Sequence, residues 1–289
     1  MIKNTISFVG LSKNCFETLK NNIENLMKLN DLLDGNCKII IVDSDSKDGT
    51  KEYFRNYQKK NRNFLFIEED NLDYKFQNRI QKLTYCRNVG LNAINKKNSI
   101  IYIPMDMDID LFSIFDILDF HKLVLNFSED AEIEGMFPIS IPYYYDIFAL
   151  RKVGWVKNNA VLEAHKLKQK FKIGSFFFNY YFVFRKQNSS KYFTNKLTKV
   201  DSAFGGIGMY KLQKGVDYKY SVNETNSNFY SEHISFNYFF KNLFINNGWK
   251  IEAPLEHIYF KNSSFLQKIL YFFKTFKYDF LNLLNRKKI

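Results

Sequence analysis

Apolar residues in the first 110 positions switch between two spacings. Residues 4–9, NTISFV, form a short apolar run and read as a strand. Phe16, Leu19, Ile23, Leu26 and Leu29 then recur every three or four positions, which predicts a helix to about Leu33 with Ser12 as its cap. Residues 37–42, CKIIIV, are a continuous run rich in β-branched residues, as expected of a strand buried on both faces. DSDSKDGT, residues 43–50, is a loop from which Thr50 opens a helix to about Lys60. Residues 63–67, NFLFI, form a third short strand, residues 79–96 a helix, and residues 99–104, SIIYIP, a fourth strand. Regular alternation of this kind predicts an α/β fold, a mostly parallel sheet flanked by crossover helices. Beyond Asp110 the pattern is less regular: a helix near Ser113–Leu125, then mixed strands and loops to about residue 260. No repeat or linker divides the chain, so one domain is expected over residues 1–260, with halves 1–110 and 111–260 and a distinct segment 261–289.

The composition narrows the class. The 289 residues are 46% hydrophobic and 18% aromatic, with 31 Phe and 19 Tyr, so a Phe-rich core is expected and long disorder is not. A net charge of +12 suits nucleic acid, an anionic membrane or a phosphorylated ligand. Cys15, Cys37 and Cys86 are far apart and form no CxxC, which points to reduced, mostly buried thiols in a cytoplasmic protein. The apolar stretch at the N-terminus is too short for a signal peptide, and no window of about 18 apolar residues predicts a membrane span.

Against this basic background, residues 100–110, IIYIPMDMDID, end a strand with Asp106, Asp108 and Asp110. In an open parallel sheet, ligands bind at the carboxyl ends of the strands. Side chains at i and i+2 share a face, so the carboxylates of Asp106 and Asp108 converge. Their mutual repulsion favours a divalent cation, Mn²⁺ or Mg²⁺, which takes a carboxylate or two and completes its shell with substrate phosphates. The alternative is a solvated acidic loop or a cap for the helix near Ser113. For Asp110 a cap is as good a reading as a ligand.

Several segments in register resemble family 2-like glycosyltransferases of the GT-A fold. IIIVDSDSKDGTKEYF resembles their strand and VD-x-x-S-x-DGT loop, RIQKLTYCRNVGLNAI their Arg-bearing helix ending in ARN-x-G, and MDMD their DxD. Further on, YYYDIFALR, FGGIGMYK and SEHISFN resemble successive segments of capsule-type (cryptococcal) mannosyltransferases, in order across roughly residues 4–260. The resemblance implies a metal-dependent hexosyltransferase that takes sugar from a nucleotide diphosphate sugar bound by the first half. The acceptor, a glycan or lipid-linked glycan of cell-surface polysaccharide or glycolipid synthesis, would meet the second half.

The same resemblance implies roles by position. Asp43 would contact the nucleotide base or ribose, its alternative being a cap for the loop that follows. Arg87, and less directly Arg79, would neutralise the donor's nucleotide side, the alternative being a solvated helix charge. Asp106 would lie by the sugar or ribose hydroxyls, and Asp108 would be the direct metal ligand, with His257 of PLEHIYF completing the cation site. Glu232 would take the acceptor's proton in an inverting reaction, as a base whose pKa burial raises toward the operating pH, or in a retaining one would orient the sugar or stabilise its developing charge. Its alternative is a first-turn acid behind the cap Ser231. His233, Gly205 and Gly206 would border the acceptor, with Asp146 and Arg151 beside it and Tyr143, Tyr144 and Tyr145 offering sugar stacking.

From Lys261 onward, seven Lys or Arg face one acid, Asp279, while Leu266, Ile269, Phe273, Phe276, Phe280 and Leu284 recur at helical spacing. Such a helix lies in the headgroup plane of an anionic bilayer, or it packs on the domain as an ordinary last helix. The first option makes a cytoplasmic protein peripheral on the membrane. Three other readings compete, one of them a sugar-binding scaffold without catalytic activity, which a donor-hydrolysis assay separates. A sugar nucleotidyltransferase requires a glycine-rich basic loop after the first strand, which FVGLSKN matches poorly. A nucleic-acid-binding protein requires a recognised module, and none is present, so no nucleic acid is expected.

Overall fold

The apolar runs at the start of the chain lie side by side in the computed structural model, which describes residues 5–94, 100–171, 174–187, 192–193, 195–222, 230–254, 272–277 and 279–280. Strand β1 (Thr5–Ser12) is central, with β2 (Cys37–Ser44) and then β3 (Phe64–Glu69) on one side and β4 (Ile100–Asp106) on the other, all parallel. The register sets Ser12 opposite Asp43 and Leu11 opposite Asp106, so the strand ends present their polar residues along one edge. The crossovers run through α1 (Phe16–Leu32), α2 (Thr50–Lys60), the single turn α3 (Leu72–Lys75) and α4 (Arg79–Asn92).

Two apolar layers hold the sheet. The helical stripe Leu19, Ile23, Leu26 and Leu29 packs with Phe8, Ile39, Ile41 and Phe54 on one face. Val9, Ile40, Leu91 and Tyr102 belong to the layer on the other face. Alternate residues of β2 thus enter opposite layers, which explains its unbroken apolar run. Each fully buried Ile, Leu or Phe contributes roughly 1.5–3 kcal/mol. On that second face Gly90 sets the height of α4, because a Cβ there would sit 2.3 Å from Val9 Cγ1. The close approach fixes Arg87, one turn earlier, beside the end of β4.

The second half extends the same sheet. After α5 (Ile117–Glu129) come β5 (Gly135–Ile141), α6 (Ala160–Phe171), α7 (Ser175–Asn179), a π-helical turn at Tyr180–Phe184 and α8 (Arg185–Gln187). Strands β6 (Leu197–Val200) and β7 (Met209–Leu212), helix α9 (Glu232–Asn237) and β8 (Leu243–Glu252) complete the described elements. The strand order is β3-β2-β1-β4-β7-β5-β8-β6. Four of the seven pairings are parallel, with β4–β7, β5–β7 and β6–β8 antiparallel.

Three local readings are corrected. Ser12 ends β1 and does not cap α1, because its hydroxyl donates to Asp43 Oδ2 at 2.9 Å. The helix expected near Ser113 begins at Ile117, capped by Asp116, which accepts from the Leu118 and Asp119 amides. The helix expected to run to residue 96 ends at Asn92. Cys15, Cys37 and Cys86 are free, and burial pushes each thiol up to about 12, so they are protonated. No helix among the described residues is long and apolar enough to cross a membrane.

Candidate active site

The carboxyl ends of β1, β2 and β4, the start of α4 and the start of α9 enclose a cleft of about 770 Å³. Both Asp106 and Asp108 line it. Asp106 is the last residue of β4, and Asp108 sits in the turn beyond. The Asp106 carboxylate pairs with Arg87 Nη2, while its amide donates to the Gly206 carbonyl at 2.8 Å. Asp108 is open to the cleft, and enclosure by the walls, then the neighbouring Asp106 charge, push its pKa up. Asp110 accepts from the Phe112 amide at 3.2 Å, which is the cap-like reading.

Arg87 is not a solvated helix charge. Its side chain is 1% exposed and lies beneath the cleft floor. Nη1 donates to the Met105 carbonyl at 3.0 Å, Nη2 meets Asp106, and Nε is 3.7 Å from Glu232 Oε1. The guanidinium stands 5.0 Å from the Phe204 ring centre, and the other partner of that ring is His233, stacked at 3.5 Å. His233 Nε2 is 3.3 Å from the same Glu232 oxygen. One buried cation therefore ties the end of β4 to the start of α9, with Phe204 closing the cluster. Burial raises the pKa of Glu232, opposed by Arg87. Burial and the adjacent Arg87 charge hold His233 well below the ordinary range, so it is neutral. His233 Nδ1 is buried without a hydrogen-bond partner among the described residues.

The remaining expected residues divide sharply. Arg79 opens α4 and lines the cleft. Asp43 is fully buried and does not line it: the carboxylate accepts from Ser12 Oγ, Ser46 Oγ and the Ser46 amide, so the loop-cap reading is the one observed. Burial raises its pKa, countered by the serine bonds. Asp146 lines the cleft while its two oxygens accept from the Ala149 and Gly205 amides. Gly205 and Gly206 shape the wall from behind without lining it. Gly206 needs φ +86°, and a Cβ there would meet Ile109 Cδ1 at 2.2 Å. Arg151 faces away from the cleft, since its guanidinium donates to the Phe148 and Leu150 carbonyls. Of the three tyrosines only Tyr145 lines the cleft, and Tyr144 is core, packed on Trp155 at 5.2 Å. Ser231 caps α9 by accepting from the His233 amide, so Glu232 is both a first-turn acid and a cleft residue. His257 lies outside the described residues.

Sequence reasoning missed Lys13 and Lys82, which line the cleft and share Asp73 between them. It also missed Phe204. The only signal for the lysines is proximity, Lys13 following β1 and Lys82 one turn after Arg79. Among the described residues no three His, Cys, Asp or Glu side chains are arranged as a metal site. The donor set is instead a pair of carboxylates beside a roomy polar cleft. That fits a Mg²⁺- or Mn²⁺-type ion whose other ligands are phosphate oxygens and water.

Comparison with known proteins agrees with this architecture. Residues 7–94 match the model of the family described as Glycosyl transferase family 2. No curated protein matches the sequence. The structure of TarS residues 1–349 from S. aureus with UDP-GlcNAc superposes with a TM-score of 0.50 at 11% identity, covering 90% of this chain and 62% of that one. The mannosyltransferase PcManGT from Pyrobaculum calidifontis, in complex with GDP-Man and Mn2+, matches at 15% identity and a TM-score of 0.35, over 48% of this chain and 36% of that one. Glucosyl-3-phosphoglycerate synthase from Mycobacterium tuberculosis, with Mn2+, UDP and glucosyl-3-phosphoglycerate, matches at 20% identity and a TM-score of 0.34, over 48% and 45%. The chain thus spans less than two thirds of the length of each. Residues 7–94 carry the family 2 glycosyl transferase match, and the described residues have the mixed α/β GT-A fold shared with the TarS structure.

Proposed function

We propose that this cleft binds a nucleotide diphosphate sugar and transfers its sugar to a hydroxyl of a glycan or lipid-linked acceptor. The observation that carries the reading is the cleft's polarity. Lys13, Arg79 and Lys82 stand among its lining cations, and Asp106, Asp108, Asp146 and Glu232 among its carboxylates. The cations suit a diphosphate, and the carboxylates suit sugar hydroxyls and a cation. Asp108, with Asp106, would hold Mn²⁺ or Mg²⁺, which when bound supplies charge stabilisation to a leaving diphosphate.

The chain's own residues account for the rest. Lys13, Arg79 and Lys82 draw the donor in and orient its phosphates. Glu232 is 4% exposed and its pKa is raised, so it is a stronger base than a solvated carboxylate. The acceptor oxygen forms its bond to the anomeric carbon as the bond from that carbon to the diphosphate oxygen breaks. The electron pair leaves with the diphosphate, and the acceptor proton goes to Glu232. Arg87 is a positioning residue that keeps Glu232 and Asp106 at fixed separation. Neutral His233, with its proton on Nε2 toward Glu232, helps hold that carboxylate in place. The resemblance to capsule-type mannosyltransferases has its support in Tyr145, Asp146, Glu232 and His233, which all border the cleft.

The test is a panel of UDP- and GDP-sugars incubated with Mn²⁺ and glycan or glycolipid acceptors, with nucleoside diphosphate release and product mass as readouts. The expected result is transfer from at least one donor, lost in Glu232→Gln and with chelator. Transfer that survives Glu232→Gln undiminished would overturn the assignment of the base.

A further inference from the structure

A surface outside the cleft carries its own signature. Residues 164–200 contain nine Lys or Arg and no Asp or Glu. Within that stretch, α6, α7 and the π-helical turn leave Phe171, Phe177, Tyr180 and Tyr181 roughly half exposed. The helical segment at Phe272–Lys277 lies against them, with Phe272 contacting Phe176 at 5.4 Å and Phe177 at 5.7 Å. It is pinned by Asp279, whose carboxylate accepts from the Ser175 amide and hydroxyl at 2.9 and 2.6 Å. The segment adds Phe273, Phe276 and Phe280, at 59%, 48% and 51% exposure. Five of the six exposed phenylalanines among the described residues therefore lie in these two packed segments.

Burying that many rings in water-free contact is favourable, so leaving them open marks a surface that meets something. The rim identifies the partner: Lys170, Arg185, Lys274 and Lys277 are exposed around the rings, while Lys166 pairs with Glu163 of α6 and Asp279 is taken by Ser175. Aromatic residues with Lys and Arg at their flanks match the headgroup level of an anionic bilayer. A second copy of the same patch would bring like charges together, which disfavours self-association.

We infer that the end of α6, α7 and the π-helical turn, together with the described residues of the Phe272–Phe280 segment, form a docking surface for an anionic lipid bilayer. Among the described residues the basic tail supplies only part of it, and the larger share belongs to α6, α7 and the π-helical turn. The inner side of the π-helical turn is anchored, with Phe182, Val183 and Phe184 packed on the core. Trp155 Nε1 donates to the Lys186 carbonyl at 2.8 Å, and Gln187 Nε2 to the Tyr145 carbonyl at 3.2 Å. Tyr145 lines the cleft, so a docked surface holds the cleft at a set height above the lipid.

The inference stands apart from the reading of the cleft. The experiment is sedimentation of the full chain with vesicles of phosphatidylcholine, alone or mixed with phosphatidylglycerol. Two variants test the two parts of the surface, Phe177→Ser/Tyr181→Ser/Phe276→Ser and Lys170→Gln/Lys274→Gln/Lys277→Gln. All six positions are exposed, so the melting temperature and donor hydrolysis stay at wild-type values. Binding is expected only with phosphatidylglycerol. Removing the three lysines should weaken it by roughly a hundredfold, at about 1 kcal/mol per surface cation. The aromatic variant should also release the protein. If it proves poorly folded, Phe276→Ser alone should still weaken binding by roughly tenfold. Equal binding to both vesicle types, unchanged binding in both triple variants, or an effect limited to oligomeric state in gel filtration would overturn the inference.

Discussion

Arg87→Met is the most informative single change. The substitution keeps length and apolar contact with Phe204 but removes the cation between Asp106 and Glu232. The Glu232 side chain is 5% exposed, so its carboxylate cannot be rescued by water, whereas that of Asp106, at 34%, is partly solvated. Breaking a buried ion pair from one side costs about 3–5 kcal/mol. Against a total stability of about 5–15 kcal/mol this is a large share, and at about 2–4 °C per kcal/mol the melting temperature should fall by roughly 6–20 °C. The loss carries a pH signature. Burial already raises Glu232, with Arg87 opposing, and removing Arg87 raises it further. A carboxyl with a folded pKa above its unfolded value favours the folded state at low pH and loses that contribution as pH rises through the folded pKa. The deficit of the variant should therefore be larger near pH 8 than near pH 5. Circular-dichroism melts of both proteins at the two pH values test this. A fall below about 2 °C, or one independent of pH, would refute the picture of one cation holding two acids.

Four further outcomes follow from the same geometry. Asp108→Asn should leave the melting temperature within about 1 °C, because the side chain is open to solvent, while abolishing Mn²⁺-dependent nucleotide binding by calorimetry. The kcat/KM of the wild type should rise with pH through an acid limb lying above the ordinary glutamate value, and Glu232→Gln should lower kcat by roughly 10²–10⁴ and erase that limb. Gly206→Ala should cost about 1–3 kcal/mol in urea unfolding, from positive φ and the clash with Ile109, and should weaken donor binding by shifting the Asp106 amide. Asp43→Ala should destabilise by about 1–3 kcal/mol, since two buried serines lose their acceptor, and any fall in donor affinity should track that loss of loop order.

The first half of the chain was legible because its strands are parallel and buried on both faces, so each shows as an unbroken apolar run. The Ile39–Val42 run states its own environment, and the aspartates after Ile103 mark the edge that opens on the cleft. The second half was less so. Strand β7 joins β4 by pairing Leu212 with Ile100, and nothing local announces a partner so distant in sequence. The same limit governs the site. Asp106 and Asp108 were readable as residues at the end of a strand, but the strand-face spacing does not apply, because Asp108 lies in the turn beyond β4. The Arg87–Glu232 contact was not, because α4 and α9 meet only in three dimensions, and a helical Arg reads as solvated until its partners are known. Asp43 and Arg151 misled for the opposite reason: each has hydrogen-bond partners within its own loop that absorb its polar atoms, and sequence pattern does not reveal which atoms are already satisfied.

The central claim is that the acidic edge at the end of β4 holds a cation and a nucleotide diphosphate sugar together. A ligand that binds only the folded state raises the melting temperature, so thermal shift reads this directly. Wild type and Asp108→Ala should be melted with UDP- and GDP-sugars, each with Mn²⁺ or with chelator. The account predicts that at least one sugar nucleotide stabilises the wild type with Mn²⁺ only, and that Asp108→Ala loses the shift while melting as the wild type does without ligand. Stabilisation that persists in chelator and in Asp108→Ala, or none with any nucleotide sugar, would contradict it.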